Sequence, residues 1–193
     1  MLIFCAEFET RPCRTDSQLD DWIRQIGEGD KNALAGLYEA VRTPVYSYAL
    51  SLLKNAQDAE DVLHDCFLSI HASAAGYRSV SKPMAWILTI TRNLCLMKLR
   101  EKTKENHRRT DIPEEDWDTK LGLSAEMDAD DRLALEECMR RLSDEERQIV
   151  VLHAVSGLKH REIAGMLSLP LPTVLSKYRR AIHKLKTYLE REE

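Results

Sequence analysis

Aromatic residues are scarce in this 193-residue chain: Phe, Trp and Tyr together make up 6%. Few segments alternate apolar and polar residues with period two, which argues against a sheet-rich fold and for an all-α one. Long hydrophobic runs are missing as well. The longest are short and broken by charge, so no segment is expected to span or insert into a membrane. The start, "MLIFCAEFETRPC", lacks a basic leader and a long apolar core, and it carries Glu7 and Glu9. It does not read as a secretion signal, and a cytoplasmic location is expected. There are five cysteines and no C-x-x-C pair. A disulfide framework is therefore not expected, and no ligand spacing supports a redox or metal pair of Cys5 with Cys13. Cys66 and Cys95 fall inside apolar helical patterns and read as buried thiols.

Leu, Ala, Glu, Lys and Arg are plentiful, and apolar residues reach 44%. That is enough for packed cores, and the length suits one domain or two small ones. The formal net charge is −4, but its placement is more informative than its sum. From Lys98 to Arg109 six Lys or Arg stand against Glu101 and Glu105. From Asp111 to Asp131 nine acids stand against Lys120 alone. From Lys159 to Tyr188 seven bases stand against Glu162. Two basic regions thus flank an acidic connector, and basic regions favour phosphates.

The periodicity predicts a first helix over 17–29, with Leu19, Trp22, Ile23 and Ile26 on one face and Gly27 and Gly29 ending it. Asp30 can cap a second helix, which contains Pro44. A third runs from about Asp58 to Ala74, with Val62, Leu63, Phe67 and Ile70 inward. A fourth covers about Met84 to Lys102, with Trp86, Ile87, Ile90, Leu94, Met97 and Cys95 as core positions. These helices make one domain, 17–102. Residues 1–16 read as a poorly ordered N-terminal extension. Residues 103–128, charged and interrupted by Pro113 and Gly122, read as a linker. A second domain covers 129–193. Its "SDEE" at 143–146 matches a capping box. The expected fold class is all-α: two small helical domains joined by a flexible acidic linker.

The last two helices, about 159–168 and 172–189, are joined by three or four residues, which is the geometry of a helix-turn-helix. Ala164 is small where the two must approach. Pro172 suits an early helical position. Val174, Tyr178, Ala181, Ile182 and Leu185 point back to the core. Thr173, Ser176, Lys177, Arg179 and Arg180 are left on or near the outer face, where they can touch base edges and phosphates in a major groove.

Two blocks, in order and across an unmatched linker, resemble a known family. "DAEDVLHDCFLSIH" followed by "WILTITRNLCLMKLR" is similar to the second domain of bacterial RNA polymerase sigma factors of the extracytoplasmic-function class. "LSDEERQIVVLHAVSGLKHREIAGMLSLPLPTVLSKYRRAIHKLK" is similar to their fourth. The resemblance implies a non-enzymatic initiation factor with no cofactor, no metal and no catalytic residue. Its implied partners are core RNA polymerase (the β′ clamp helices and the β flap), promoter DNA and an anti-sigma factor.

The resemblance also implies roles. Asp58, Glu60, Asp61, His64 and Asp65 on the third helix would dock on the clamp helices, with Asp58, Asp61 and Asp65 as an exposed row. The loop "GYRSVSK", 76–82, would hold a flipped base of the minus-ten element, through Tyr77, Arg78, Ser79 or Ser81. Arg92 and Asn93 match the next DNA-contacting helix, and Lys98 and Arg100 would meet phosphates. Thr173, Ser176, Lys177, Arg179 and Arg180 would read the minus-thirty-five element. Where the family often has Gly at the start of this helix, Pro172 stands here, and Leu175–Ser176–Lys177 replaces a Lys–Ser–Arg run. Two other classes fit parts of the sequence: a stand-alone helix-turn-helix regulator, and a metal-dependent nucleic-acid enzyme using the acids of 58–65.

Overall fold

A computed structural model describes residues 15–79, 82–106 and 137–189. All of the expected extension but Thr15 and Asp16, and all of the linker but its first four residues, lie outside the described residues, as does Ser81. Among the described residues there is no β-strand, and none of their helices is long and apolar enough to cross a membrane.

The first unit has four helices: α1 (Asp16–Gly27), α2 (Lys31–Leu53), α3 (Ala56–Ser73) and α4 (Pro83–Asn106). The face of α1 that buries Leu19, Ile23 and Ile26 is the one its periodicity predicts. Its last residue has to be glycine for a steric reason: a Cβ on Gly27 would stand 2.9 Å from the Ala74 carbonyl oxygen, in the 3-10 turn after α3. The Asp30 side chain accepts the Asn32 N–H at 2.8 Å and starts α2, satisfying one of the orphan donors of a helix N-terminus. This helix is the axis of the fold. Leu37, Val41, Val45 and Tyr48 are fully buried along it, and it packs on α1, α3 and α4. Pro44 sits inside it.

Helix α3 begins two residues earlier than expected because Asn55, not a later residue, caps it, accepting the Asp58 N–H at 2.9 Å. Val62, Leu63, Cys66, Phe67 and Ile70 are buried on it as the period requires. Helix α4 is longer at its C-terminal end than its periodicity suggests and takes in the first residues assigned to the linker. One of its expected core positions is corrected. Met97 is 54% exposed, because it lies on the same side of the helix as exposed Asn93 and Arg100.

The second unit has α5 (Asp144–Val150), α6 (His160–Leu167) and α7 (Leu171–Leu189). The expected capping box is formed: Ser143 and Glu146 satisfy each other's backbone N–H at 3.3 and 3.0 Å. The helix does not stay α-helical to Val155. It widens into a π turn over Val151–Val155 and stops at Gly157, whose φ is +72°, a backbone conformation that favours glycine. Cys138, Met139 and Leu142, before this helix, are buried.

Sequence patterning does not disclose that the two units pack on each other. Helix α2 lies against α5 and the π turn, and α4 touches α6. One hydrophobic cluster runs through both units, from Leu37, Val45 and Ile87 to Leu152, Ile163 and Val174. Among the described residues, ion pairs join them at the surface, Lys54–Asp144 at 3.2 Å and Lys82–Glu162 at 3.5 Å.

Candidate functional site

Three places bring the expected site residues into defined surroundings. The first is the helix-turn-helix. Helix α6 ends at Ser168 in the left-handed conformation (φ 56°), and the Leu169 N–H donates to the Ala164 carbonyl at 3.0 Å. Together these turn the chain within three residues. Ile163, Ala164, Val174 and Ala181 are buried where α6 and α7 pack. Glu162, the only acid between Lys159 and Tyr188, has a structural role, since it accepts the Lys159 N–H at 2.9 Å and caps α6. Pro172 is the second residue of α7, not the first. The outer face is as expected for Ser176, Arg179 and Arg180, which are exposed. Thr173 is half-buried, and Lys177, also half-buried, reaches back to Glu145 at 2.6 Å. One core expectation is corrected here: Ile182 is 39% exposed.

The second place is the α3–α4 face. Glu60, Asp61, His64 and Asp65 are exposed on α3. Asp58 is a correction to the expected exposed row: it is only 9% exposed. It sits one turn below the row, where α4 covers it with Lys98 at 3.5 Å and with Lys102. Lys98, expected against phosphates, also bonds Asp61 at 2.5 Å. Burial works against its ammonium, but Asp61 and Asp58 outweigh that and hold it above the ordinary lysine range. The same bond to Lys98 holds the Asp61 carboxyl below the ordinary aspartate range. The acids and the cation thus form one charge cluster between two helices. Leu68, which sequence reasoning passed over, is 70% exposed. It follows Asp61, His64 and Asp65 at helical spacing, so an apolar residue at the end of a polar stripe was the signal available.

The third place is the 76–79 stretch. Tyr77 is half-buried, and its ring packs on Trp86 with centroids 4.6 Å apart. Its hydroxyl donates to Asp20 Oδ1 at 2.5 Å, and the Ser79 hydroxyl donates to Asp20 Oδ2 at 2.8 Å. Burial, reinforced by the bond to Asp20, pushes the Tyr77 phenol well above the ordinary range, so it stays a neutral donor. Arg78 is exposed. On α4, Arg92 is half-buried, and Asn93 and Arg100 are exposed. Among the described residues no group of three or more His, Cys, Asp or Glu is placed to hold a metal ion.

These features define a DNA-binding protein of two helical units, the second of helix-turn-helix type. Residues 37–105 match the family description "Sigma-70 region 2" and residues 132–185 match "Sigma-70, region 4". The chain belongs to the sigma-70 family of RNA polymerase sigma factors, in its extracytoplasmic-function class. It is similar to the sigma factor SigK of Mycobacterium sp. strain KMS, with 29% identity over 186 residues covering 93% of this chain and 96% of that protein. SigK of Mycobacterium tuberculosis strain H37Ra is 26% identical over 184 residues, covering 94% and 98%. Among solved structures, the sigma factor RpoE of Bartonella quintana, in complex with the anti-sigma factor NepR, superposes with a TM-score of 0.67 at 22% identity. That match covers 81% of this chain and 96% of that one. CnrH, in complex with the cytosolic domain of CnrY, gives a TM-score of 0.61 at 19% identity, covering 91% and 99%.

Proposed function

We propose that this chain is a promoter-specificity subunit with no catalytic residues of its own, acting in the cytoplasm. It binds core RNA polymerase and directs initiation at promoters through their minus-ten and minus-thirty-five elements. The observation that carries this reading is the pair of matched regions in family order, 37–105 and 132–185. Residues 17–102 serve docking and the minus-ten element, 103–128 connect, and 129–193 serve the minus-thirty-five element.

On α7, Ser176, Arg179 and Arg180 face the groove, with Thr173 and Lys177 at its edge. An exposed helix N-terminus with cations beyond it fits major-groove reading. In the first unit, Tyr77, Arg78, Ser79 and Ser81 border the captured base, and Arg92, Asn93 and Arg100 contact the strand beyond it. Glu60, Asp61, His64 and Asp65 face the β′ clamp helices, where a carboxylate row gives register against a basic partner. Leu68, at the end of that stripe, supplies an apolar anchor for the surface. The charges of Asp58 and Lys98 hold that face on α4.

The packed arrangement has to open for this work. The two elements lie about 25 base pairs apart, roughly 85 Å at ~3.4 Å per pair. A compact chain of this length has a radius of gyration of only about 16 Å. An anti-sigma partner, such as the one bound to the Bartonella RpoE, fits this scheme: it covers the docking acids and Leu68 of the closed form.

The test is run-off transcription with bacterial core polymerase on a promoter library. Promoter-specific transcripts that need this protein, and that are lost in the Asp61→Lys, Asp65→Lys double variant, are expected. DNA binding without polymerase, with no promoter-specific transcript when polymerase is added, overturns the reading in favour of a stand-alone regulator.

A further inference from the structure

Between the start of α1 and the 76–79 stretch lies an open cleft of about 380 Å³. That is within the ~300–1,000 Å³ range that takes a small organic group. Asp16, Ser17, Asp20 and Arg24 line one side, and Tyr77 and Ser79 the other. We propose that Asp20 is a base-discriminating residue of this cleft, selecting a flipped-out base with an exocyclic amine and rejecting thymine. The inference rests on the reading of the 76–82 loop as the place of base capture.

Donor and acceptor chemistry carries it. A carboxylate only accepts hydrogen bonds, and its two oxygens offer about four lone-pair sites. Tyr77 and Ser79 occupy one site on each oxygen. Each oxygen therefore keeps room for a further donor without releasing the loop. Cytosine and adenine present an exocyclic amine on the edge freed by flipping, and guanine presents an N–H beside an amine. Thymine presents a single N–H with a carbonyl oxygen on either side, so a carboxylate aligned on it faces two repulsive oxygens. The opposite wall suits the body of a base: the Tyr77 ring is fixed by Trp86 at 4.6 Å, and aromatic rings stack bases of any identity. The charge of the cleft sorts base from backbone. Asp16, Asp20 and Asp21 repel phosphate, and the nearby Arg24 is already paired with Asp21 at 2.9 Å. A neutral base can enter where a phosphate cannot.

The experiment is run-off transcription by core polymerase with the full chain on a promoter in which all four bases are placed in turn at each minus-ten position. The wild-type chain is expected to show one position where thymine is disfavoured about tenfold against its best amine-bearing base. Asp20→Asn, whose amide can donate to a thymine carbonyl, is expected to bring that ratio within about twofold, chiefly by raising the thymine promoter. The double variant Tyr77→Phe, Ser79→Ala removes the two latching hydroxyls and leaves Asp20 in place; its use of every promoter is expected to fall, because both residues line the cleft, while the ratio of thymine to amine-bearing promoters stays near the wild-type value. Thermal midpoints of all variants check that they are folded. An unchanged ratio in Asp20→Asn overturns the inference alone, as does equal use of thymine at every position by the wild type. So does a hydroxyl double variant that behaves like Asp20→Asn, since Asp20 would then act only by holding the loop. No promoter-specific transcript from the wild type overturns the function reading, and the inference with it.

Discussion

Lys98 in the first unit and Arg180 in the second were both expected to meet DNA, and their surroundings differ. Lys98 stands between Asp58 and Asp61 at 3.5 and 2.5 Å. Arg179 and Arg180 are exposed and pair with no described residue. A cation already held by two carboxylates gives up those bonds to reach a phosphate, whereas an unpaired one only sheds counterions. The first unit thus uses its charges to brace two helices and present an acidic face. The second leaves its basic face open and keeps its ion pairs to the flanks, at Glu145–Lys177 and Glu146–Lys184. Equal charge in the sequence is not equal availability to a partner.

The largest effect that separates the units concerns Arg147, which is 3% exposed. Its guanidinium donates to the Met139 and Leu142 carbonyls at 3.0 and 2.9 Å and to Asp144 at 2.9 Å. Arg147→Ala strands two buried carbonyls and leaves a cavity, so a loss of about 3–5 kcal/mol is expected in urea unfolding. No single charge in the α3–α4 cluster should match it, because Lys98, Lys102 and Asp61 are partly solvated and the buried Asp58 is shared between two lysines.

Next come the open cations. Arg179→Ala or Arg180→Ala should weaken binding of the polymerase complex to promoter DNA by about 1–3 kcal/mol where a base is read. A phosphate contact should lower the salt slope by about one instead. Neither should change stability by more than ~0.5 kcal/mol. Filter binding across a salt series, beside urea unfolding, checks both.

Lys98→Met sharpens the contrast from the other side. It should cost about 1 kcal/mol of stability, since Asp58 retains Lys102, and leave the salt slope unchanged. A slope reduced by one with unchanged stability would place Lys98 among the phosphate contacts and dissolve the difference between the units.

The smallest effect is a pH dependence. Burial tends to raise the Glu146 carboxyl, but Lys184 at 2.7 Å and the Ser143 N–H outweigh it and hold it below the ordinary value of 4.5. A depressed carboxyl stabilises the fold above its unfolded value, and that contribution fades as pH falls through the folded one. The urea midpoint should therefore drop below about pH 4.5. Glu146→Gln should flatten part of that drop.

Much of the fold was legible because helical period and capping chemistry are local. The faces of α1 and α3, the Asp30 cap and the Ser143–Glu146 box depend on residues within a turn or two of each other. The helix-turn-helix could be read for the same reason, from a short connection, a small residue at the crossing and basic residues on one face. Met97 and Ile182 were misplaced because their side chains fall at the margin of an apolar stripe, and only the neighbouring helix decides whether that margin is covered. Asp58 was misplaced in the same way: its spacing fits the exposed row, but α4 lies over it.

By itself, then, the sequence determined what local geometry and covalent order can carry: an all-α chain, the helix starts at Asp30 and Ser143, its turn before α7, and two charged regions in family order. Tertiary structure alone decided which charges meet. It placed Lys98 on Asp58 and Asp61, buried the Arg147 side chain, and joined Asp20 to Tyr77 and Ser79, partners 57 and 59 residues apart. It also brought the two units onto one apolar cluster. The physical reason is that hydrogen bonds and burial act over a few ångströms of space, while periodicity and caps act over a few residues of chain.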